Sequence, residues 1–204
     1  SVWHALNQRA IARHFAKIRG CRYEDLNLIV AHLGGGITVG AHCKGQTIDV
    51  NNGLDGEGPF SPERAGSLPA ADLIRLCFSG KHSEEELLKR IAGKAGLNAH
   101  LGTTDTREVL RRVAEGDAHA TLILNAMIYH IAKSIAAQGA VLCGAVDAIL
   151  ITGGLAHSDY ITSRLERVSF IAPVHVFPGE NELQALAENA LAVLHQEREI
   201  HEYE

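Results

Sequence analysis

No long basic stretch, no HExxH, no CxxC and no apolar run that reads as membrane-spanning occurs in these 204 residues. Each absence removes a class of function. With 19 Lys and Arg against 24 Asp and Glu, the formal charge of -5 offers no electrostatic footprint for nucleic acid. Ser1-Val2-Trp3-His4 leads straight into an amphipathic segment instead of a signal peptide. The four cysteines are scattered; Cys43, Cys77 and Cys143 lie among apolar neighbours and read as small core residues of a reduced, cytoplasmic protein. Twelve histidines is a high count, yet no pair sits at zinc-ligand spacing beside a second cluster.

What is present centres on residues 26–50, LNLIVAHLGGGITVGAHCKGQTIDV. Asn27 to His32 is apolar on both faces, as a strand buried between two layers must be. Gly34, Gly35 and Gly36 follow; lacking Cβ atoms, they permit positive φ and let a ligand lie on main-chain N–H groups. Ile37 to Ala41 resumes as a strand, turns at Lys44-Gly45 and returns through Thr47 to Val50. The stretch reads as strand, anion-holding glycine turn and hairpin, although a purely structural glycine turn fits the triplet alone equally well.

Before it, residues 3–19 place Leu6, Ala10, Ile11, Phe15 and Ile18 on one helical face, ended by Gly20. After it, residues 51–66 form a Gly-, Pro- and acid-rich loop, long enough to suggest function. Ser67 is placed to cap a helix from Pro69 through Phe78, and Ser83 with Glu86 forms a capping box for the next. A third helix starts near Thr104-Asp105, and a long apolar one spans Ala118 to Val141. Asp147 to Thr152 is a second buried strand ending in Gly153-Gly154. A helix from Ser158 to Val168, a strand from Val174 to Phe177 and a last helix from residue 180 or 181 to about 197 complete the chain. This order predicts a mixed five-stranded α/β sheet with helices on both faces and a helical insertion over about 68–116. It is the order of a ribonuclease-H-like half-domain, as in actin, Hsp70 and the sugar kinases, with glycine turns after the first and fourth strands.

Four segments then carry a resemblance. His32-Leu33-Gly34-Gly35-Gly36-Ile37 resembles the HLGxG loop of the acetate and butyrate kinases, the acetokinase family. His4-Ala5-Leu6-Asn7-Gln8 is similar to that family's histidine motif, and the segment from Leu54 to Arg64 to the butyrate-kinase form of its catalytic-arginine segment. Ile151-Thr152-Gly153-Gly154-Leu155-Ala156 is similar to its adenosine-site TGG turn. The four occur in order at family spacing.

The resemblance implies an ATP- and Mg2+-dependent kinase that forms an acyl phosphate from a short-chain carboxylate. It implies Arg64 on the transferring phosphoryl, where a guanidinium contacts two equatorial oxygens, and His4 donating a hydrogen bond to the same group. His32 with Gly34, Gly35 and Gly36 would hold the ATP phosphates. Asp105, Thr106 and Arg107, then Gly153, Gly154, Leu155, Ala156, His157 and Ser158, would contact the nucleotide. Glu182, or else Glu180, would be the magnesium-associated carboxylate. Each residue also has a plain reading: Asp105 as a helix cap, His32 as a bonded structural histidine, Arg64 as a surface ion pair with Glu57 or Glu63.

Departures from the family pattern narrow the expectation. Ala156-His157-Ser158 and Glu63-Arg64-Ala65-Gly66-Ser67-Leu68-Pro69 differ from the acetate-kinase versions and favour the butyrate or branched-chain branch. The family's first half-domain, with a second phosphate loop, a second arginine and an aspartate, has no counterpart. The chain is therefore expected to be the C-terminal half of an enzyme, working as a homodimer or with its missing half. The alternative is a non-catalytic nucleotide-binding module or scaffold subunit.

Overall fold

In the computed structural model, which describes residues 2–179 and Ala187, two cores share one central strand, β1 (Asn27–Leu33). Successive side chains of a strand point to opposite faces. Leu28 and Val30 thus enter one apolar cluster, and Ile29, Ala31 and Leu33 the other. β4 (Ala148–Gly153) alternates in step, with Ala148 and Leu150 on the first face and Ile149 and Ile151 on the second. All these side chains are fully buried. That explains the unbroken apolar runs: neither face meets water.

β2 (Ile37–Cys43) and β3 (Gln46–Val50) add antiparallel strands on one side of β1, while β4 and β5 (Val174–Pro178) add parallel ones on the other. The order β3-β2-β1-β4-β5 is the mixed five-stranded sheet that the element order predicts. Two helices cover its faces. α1 (Ala5–Arg19) lies on the Leu28 side, and α6 (Ala118–Val141) on the Ile29 side. α6 is long and apolar enough to span a membrane by composition alone, contrary to the reading of the sequence. Its apolar stripe Ala120, Leu124, Met127, Ile131, Ile135, at helical spacing, is instead buried in the core.

α1 is rotated from the expected face. Leu6 and Ile18 are exposed, while Asn7, Gln8, Ile11, Ala12, Phe15 and Ala16 are buried. The first turn meets His32, Thr38 and His42 of the sheet, which need polar partners once buried. Apolar periodicity cannot see that demand.

Four shorter helices precede α6: α2 (Ala70–Cys77), α3 (Glu84–Ile91), α4 (Gly96–Leu101) and α5 (Thr106–Ala114). α3 carries the expected Ser83–Glu86 capping box. Ser67 does not cap α2; Pro69 holds that position, and the Ser67 hydroxyl accepts from Gly58 N at 3.1 Å. α2 buries no residue, so Cys77 is exposed, and Cys143 is exposed in the turn after α6. Cys43, half-buried at the end of β2, does pack against the core, so the expected core placement holds for it and fails for Cys77 and Cys143. Leu97 of α4 and Val109 of α5 join the core beneath α6. α7 (Asp159–Leu165), shorter than expected and followed by a single tighter turn, leads to β5. Of the expected last helix only Ala187 is described, and it is helical; Glu180 and Glu182 lie outside the described residues.

Candidate functional site

β1 and β4 are parallel neighbours whose chains leave in opposite directions, β1 to β2 and β4 towards β5. In open α/β sheets such a reversal leaves a crevice beyond the carboxyl ends of the two strands. Both glycine turns are there, in direct contact. Gly153 has φ +95°, and a Cβ on it would lie 2.4 Å from the Leu33 carbonyl oxygen. Only glycine meets both demands.

A cavity of about 630 Å³ opens at this point, the size of a small-molecule site. Gly34 and Gly35 form one wall, Gly154, Leu155, His157 and Ser158 another, and Asp105, Thr106 and Arg107 a third. Three segments far apart in sequence thus converge. Gly153 and Ala156 are buried behind that wall. Asp105 takes the plain role as well: it caps α5, accepting from Arg107 N at 2.9 Å, and pairs with the Arg107 guanidinium. That hydrogen-bonded pairing holds the Asp105 carboxyl below its usual range.

Although glycine permits positive φ, none of the three glycines of the triplet adopts it. Gly34 N donates to Gly36 O at 3.0 Å, so that amide is committed within the turn. The space beside the triplet is taken by the far ends of two side chains, which a Cβ would push aside. A Cβ on Gly36 would sit 2.5 Å from Arg64 Nη1, and one on Gly35 3.2 Å from Glu63 Oε1.

Arg64 therefore packs on the loop, with its guanidinium donating to Gly53 O. Buried Ser61 fastens the two loops together: its hydroxyl donates to Gly35 O at 2.6 Å and accepts from Arg64 N at 3.2 Å. Glu63, Pro62, Thr104 and Leu110 also line the cavity and were not singled out from the sequence. The alternation of Glu63 and Arg64 along the loop was the available signal.

The histidines form a second group. His4 has φ 52°, a strained value for a residue with a Cβ, and heads α1. Its ring stacks on His32 with centroids 4.0 Å apart. His4 Nδ1 lies 3.0 Å from Thr38 Oγ1, and His32 Nδ1 2.9 Å from Asn7 Oδ1. Burial first, then the neighbouring His4, pushes the His32 pKa down to about 3. His32 is accordingly neutral at physiological pH and supplies no net positive charge. Gly53 joins this group to Arg64, since a Cβ there would meet Thr38 Cγ2 at 2.7 Å and Arg64 Nη1 at 3.5 Å. Gly34 and Gly35 thus line the cavity while Gly36 packs against Arg64, which Gly53 links to Thr38 and His4.

Among the described residues, no set of three His, Cys, Asp or Glu could hold a metal by itself. A magnesium ion carried on phosphates needs only one or two carboxylates, and Glu63 is the carboxylate against the glycine turn.

A mixed sheet with paired glycine turns at its switch point defines one lobe of the actin, Hsp70 and sugar-kinase type of nucleotide-binding fold. Comparison with known proteins makes this specific. A profile described as the acetokinase family matches residues 3–188, and the chain belongs to that family. It is 59% identical over 204 residues to a probable butyrate kinase of Bacteroides thetaiotaomicron, covering all of this chain but 58% of that relative's length. Among solved structures, Porphyromonas gingivalis acetate kinase superposes with TM-score 0.81 at 21% identity, covering 93% of this chain and 55% of that one. A propionate kinase from Francisella tularensis gives 0.78 at 23% identity, with 89% and 53% covered. At such identities the structural likeness speaks for the fold alone.

Proposed function

We propose that this chain is the nucleotide-binding half of a carboxylate kinase that transfers the γ-phosphoryl group of ATP to butanoate or a related short or branched acid. The observation that carries the reading is the cavity itself, where three distant segments meet beside the two touching glycine turns. The butanoate preference rests on the identity to the probable butyrate kinase and on the Glu63-Arg64-Ala65-Gly66 segment.

Phosphoryl transfer to a carboxylate brings anionic oxygens together, so positioning and donated positive charge supply most of the catalysis. In this reading the nucleotide lies in the cavity, with adenosine against Gly154 to Ser158 and its phosphates along the glycine triplet. Arg64, held by Gly36, Gly53 and Ser61, faces the group in transfer. His4 donates a hydrogen bond to the same oxygens, beside the neutral ring of His32. Glu63 and Asp105 are the described carboxylates lining the cavity, with Glu182 or Glu180 the family-based choice, and a magnesium ion held there would offset phosphate charge. The acid enters from the side that the remaining 42% of the relative's length would supply (100% minus 58%). Assembly as a homodimer or with that half, and a cytoplasmic site with access to ATP, belong to the same reading.

The experiment is a coupled assay with ATP, magnesium and butanoate on a protein extended N-terminally by the family's first half, with calorimetry of ADP binding to this chain. Acyl phosphate formation that drops at least ~10³-fold in Arg64→Ala is expected, as for a lost arginine on a transferring phosphoryl. ADP binding with no acyl phosphate from the extended protein would leave the alternative, a nucleotide-binding module. Full activity in Arg64→Ala would remove the arginine from the mechanism.

A further inference from the structure

Beneath His4, a line of buried polar side chains crosses the interface between α1 and the sheet. Tyr23 Oη lies 2.6 Å from His42 Nδ1, and His42 Nε2 lies 3.0 Å from Gln8 Oε1. Gln8 Nε2 donates to Thr38 Oγ1 at 2.8 Å, and Thr38 Oγ1 lies 3.0 Å from His4 Nδ1. Gln8, Thr38 and His42 are fully buried, and Tyr23 nearly so. The strand register makes this geometry. His42, Gly40 and Thr38 alternate on the α1 face of β2, opposite Leu28, Val30 and His32 of β1. Gly40 is glycine because a Cβ there would stand 2.6 Å from Gln8 Oε1.

In such a line each proton constrains the next. The Gln8 carbonyl oxygen only accepts, so His42 carries its proton on Nε2 and Nδ1 accepts from Tyr23. The Gln8 amide nitrogen only donates, so it occupies a lone pair of Thr38. The Thr38 hydroxyl must then donate onward. Its choices are His4 Nδ1 at 3.0 Å and the Trp3 carbonyl oxygen at 3.4 Å, of which the shorter contact is the stronger acceptor. His4 Nδ1 is thereby the acceptor.

We infer that this line, Tyr23 to His42 to Gln8 to Thr38, holds His4 as the tautomer protonated on Nε2, which makes Gln8 and Thr38 positioning residues for the imidazole. The inference rests on the proposed role of His4 for its functional meaning: a neutral ring locked this way carries an N–H, and no lone pair, on Nε2. The tautomer itself is a property of this chain alone. Nothing in the line contacts the nucleotide cavity, whose lining residues are all different.

The test is long-range 1H–15N correlation on this chain with 15N-labelled histidine, using His4→Gln and His42→Gln to identify the two rings. Both histidines are expected with a pyridine-type Nδ1 and a pyrrole-type Nε2. In Thr38→Val, His4 should become a mixture of tautomers while His42 keeps its pattern, and Thr38→Ser should restore His4. A wild-type His4 protonated on Nδ1, or a Thr38→Val spectrum with His4 unchanged, overturns the inference. Should Thr38→Val fail to fold, the wild-type spectrum decides alone, because reversing the line would place the proton of both rings on Nδ1. Turnover is not part of this readout. A locked His4 in a protein that, extended, forms no acyl phosphate supports the inference and counts against the kinase reading only.

Discussion

The two faces of the sheet are made of the same strands yet do different work. Beneath α6 the buried side chains of β1 and β4 from Ile29 to Ile151 are apolar, and the polar exceptions on that face, Asn27 and Gln138, are few. Beneath α1 the core is apolar around Ile11, Phe15 and Leu28, then turns polar towards the strand ends with Gln8, Asn7, His32, Thr38 and His42. The first face supplies stability and the second trades some of it for oriented groups. A buried polar chain costs little when fully paired and much when one link is cut.

Cutting each face in turn should expose that contrast. On the α6 face, Leu124→Ala removes a fully buried side chain and is expected to lower unfolding free energy by roughly 2–5 kcal/mol, read by urea titration. It should leave the tautomer of His4 untouched. On the α1 face the matching signature is pH. Burial lowers the pKa of His42 to about 4, and that of His32 to about 3. Below about pH 6.5 the unfolded chain takes up these protons and the folded chain does not, so stability is present at neutral pH and falls as pH drops towards 4. The loss should reach about 3 kcal/mol for His42 alone. Urea titrations between pH 7 and 4 should show that slope, reduced in His42→Gln; an unchanged slope would mean that another group carries it.

Gly36→Ala tests the junction of cavity and arginine. Its Cβ would displace the Arg64 guanidinium, the far end of a flexible side chain, so folding should change little. Misplacing that group should cost phosphoryl transfer in the extended protein about 10²-fold. Smallest of all, Ile74→Glu on exposed α2 should stay within about 0.5 kcal/mol of wild type. A larger loss would show that α2 is covered in solution.

Much of this was legible in advance. Apolar runs marked β1 and β4, and a long apolar segment marked α6 from Ala118 to Val141, because extensive burial leaves its trace in composition. Gly34, Gly35, Gly154 and the 105–107 segment, anticipated as nucleotide contacts, do line one cavity. What was misread has a common cause. The face of α1, the environment of Cys77 and Cys143 and the partner of Ser67 all depend on neighbours distant in sequence. Leu6 and Ile18 look like core residues until the polar ends of β1 and β2 claim the turn that carries Asn7 and Gln8.

From its sequence alone the chain was committed to a two-sided sheet, to glycine turns after the first and fourth strands, and to the motifs that place it in its family. Those features are local, set by periodicity and by the missing Cβ. Tertiary structure decided what surrounds the glycines: the Leu33 carbonyl, which excludes a Cβ at Gly153, and the side-chain ends of Arg64 and Glu63 at the triplet, where no left-handed turn occurs. It also decided that Gln8, Thr38 and His42 stand in one line under His4. A hydrogen bond needs partners within about 3 Å, and only the packed register of α1 on β1 and β2 brings them there.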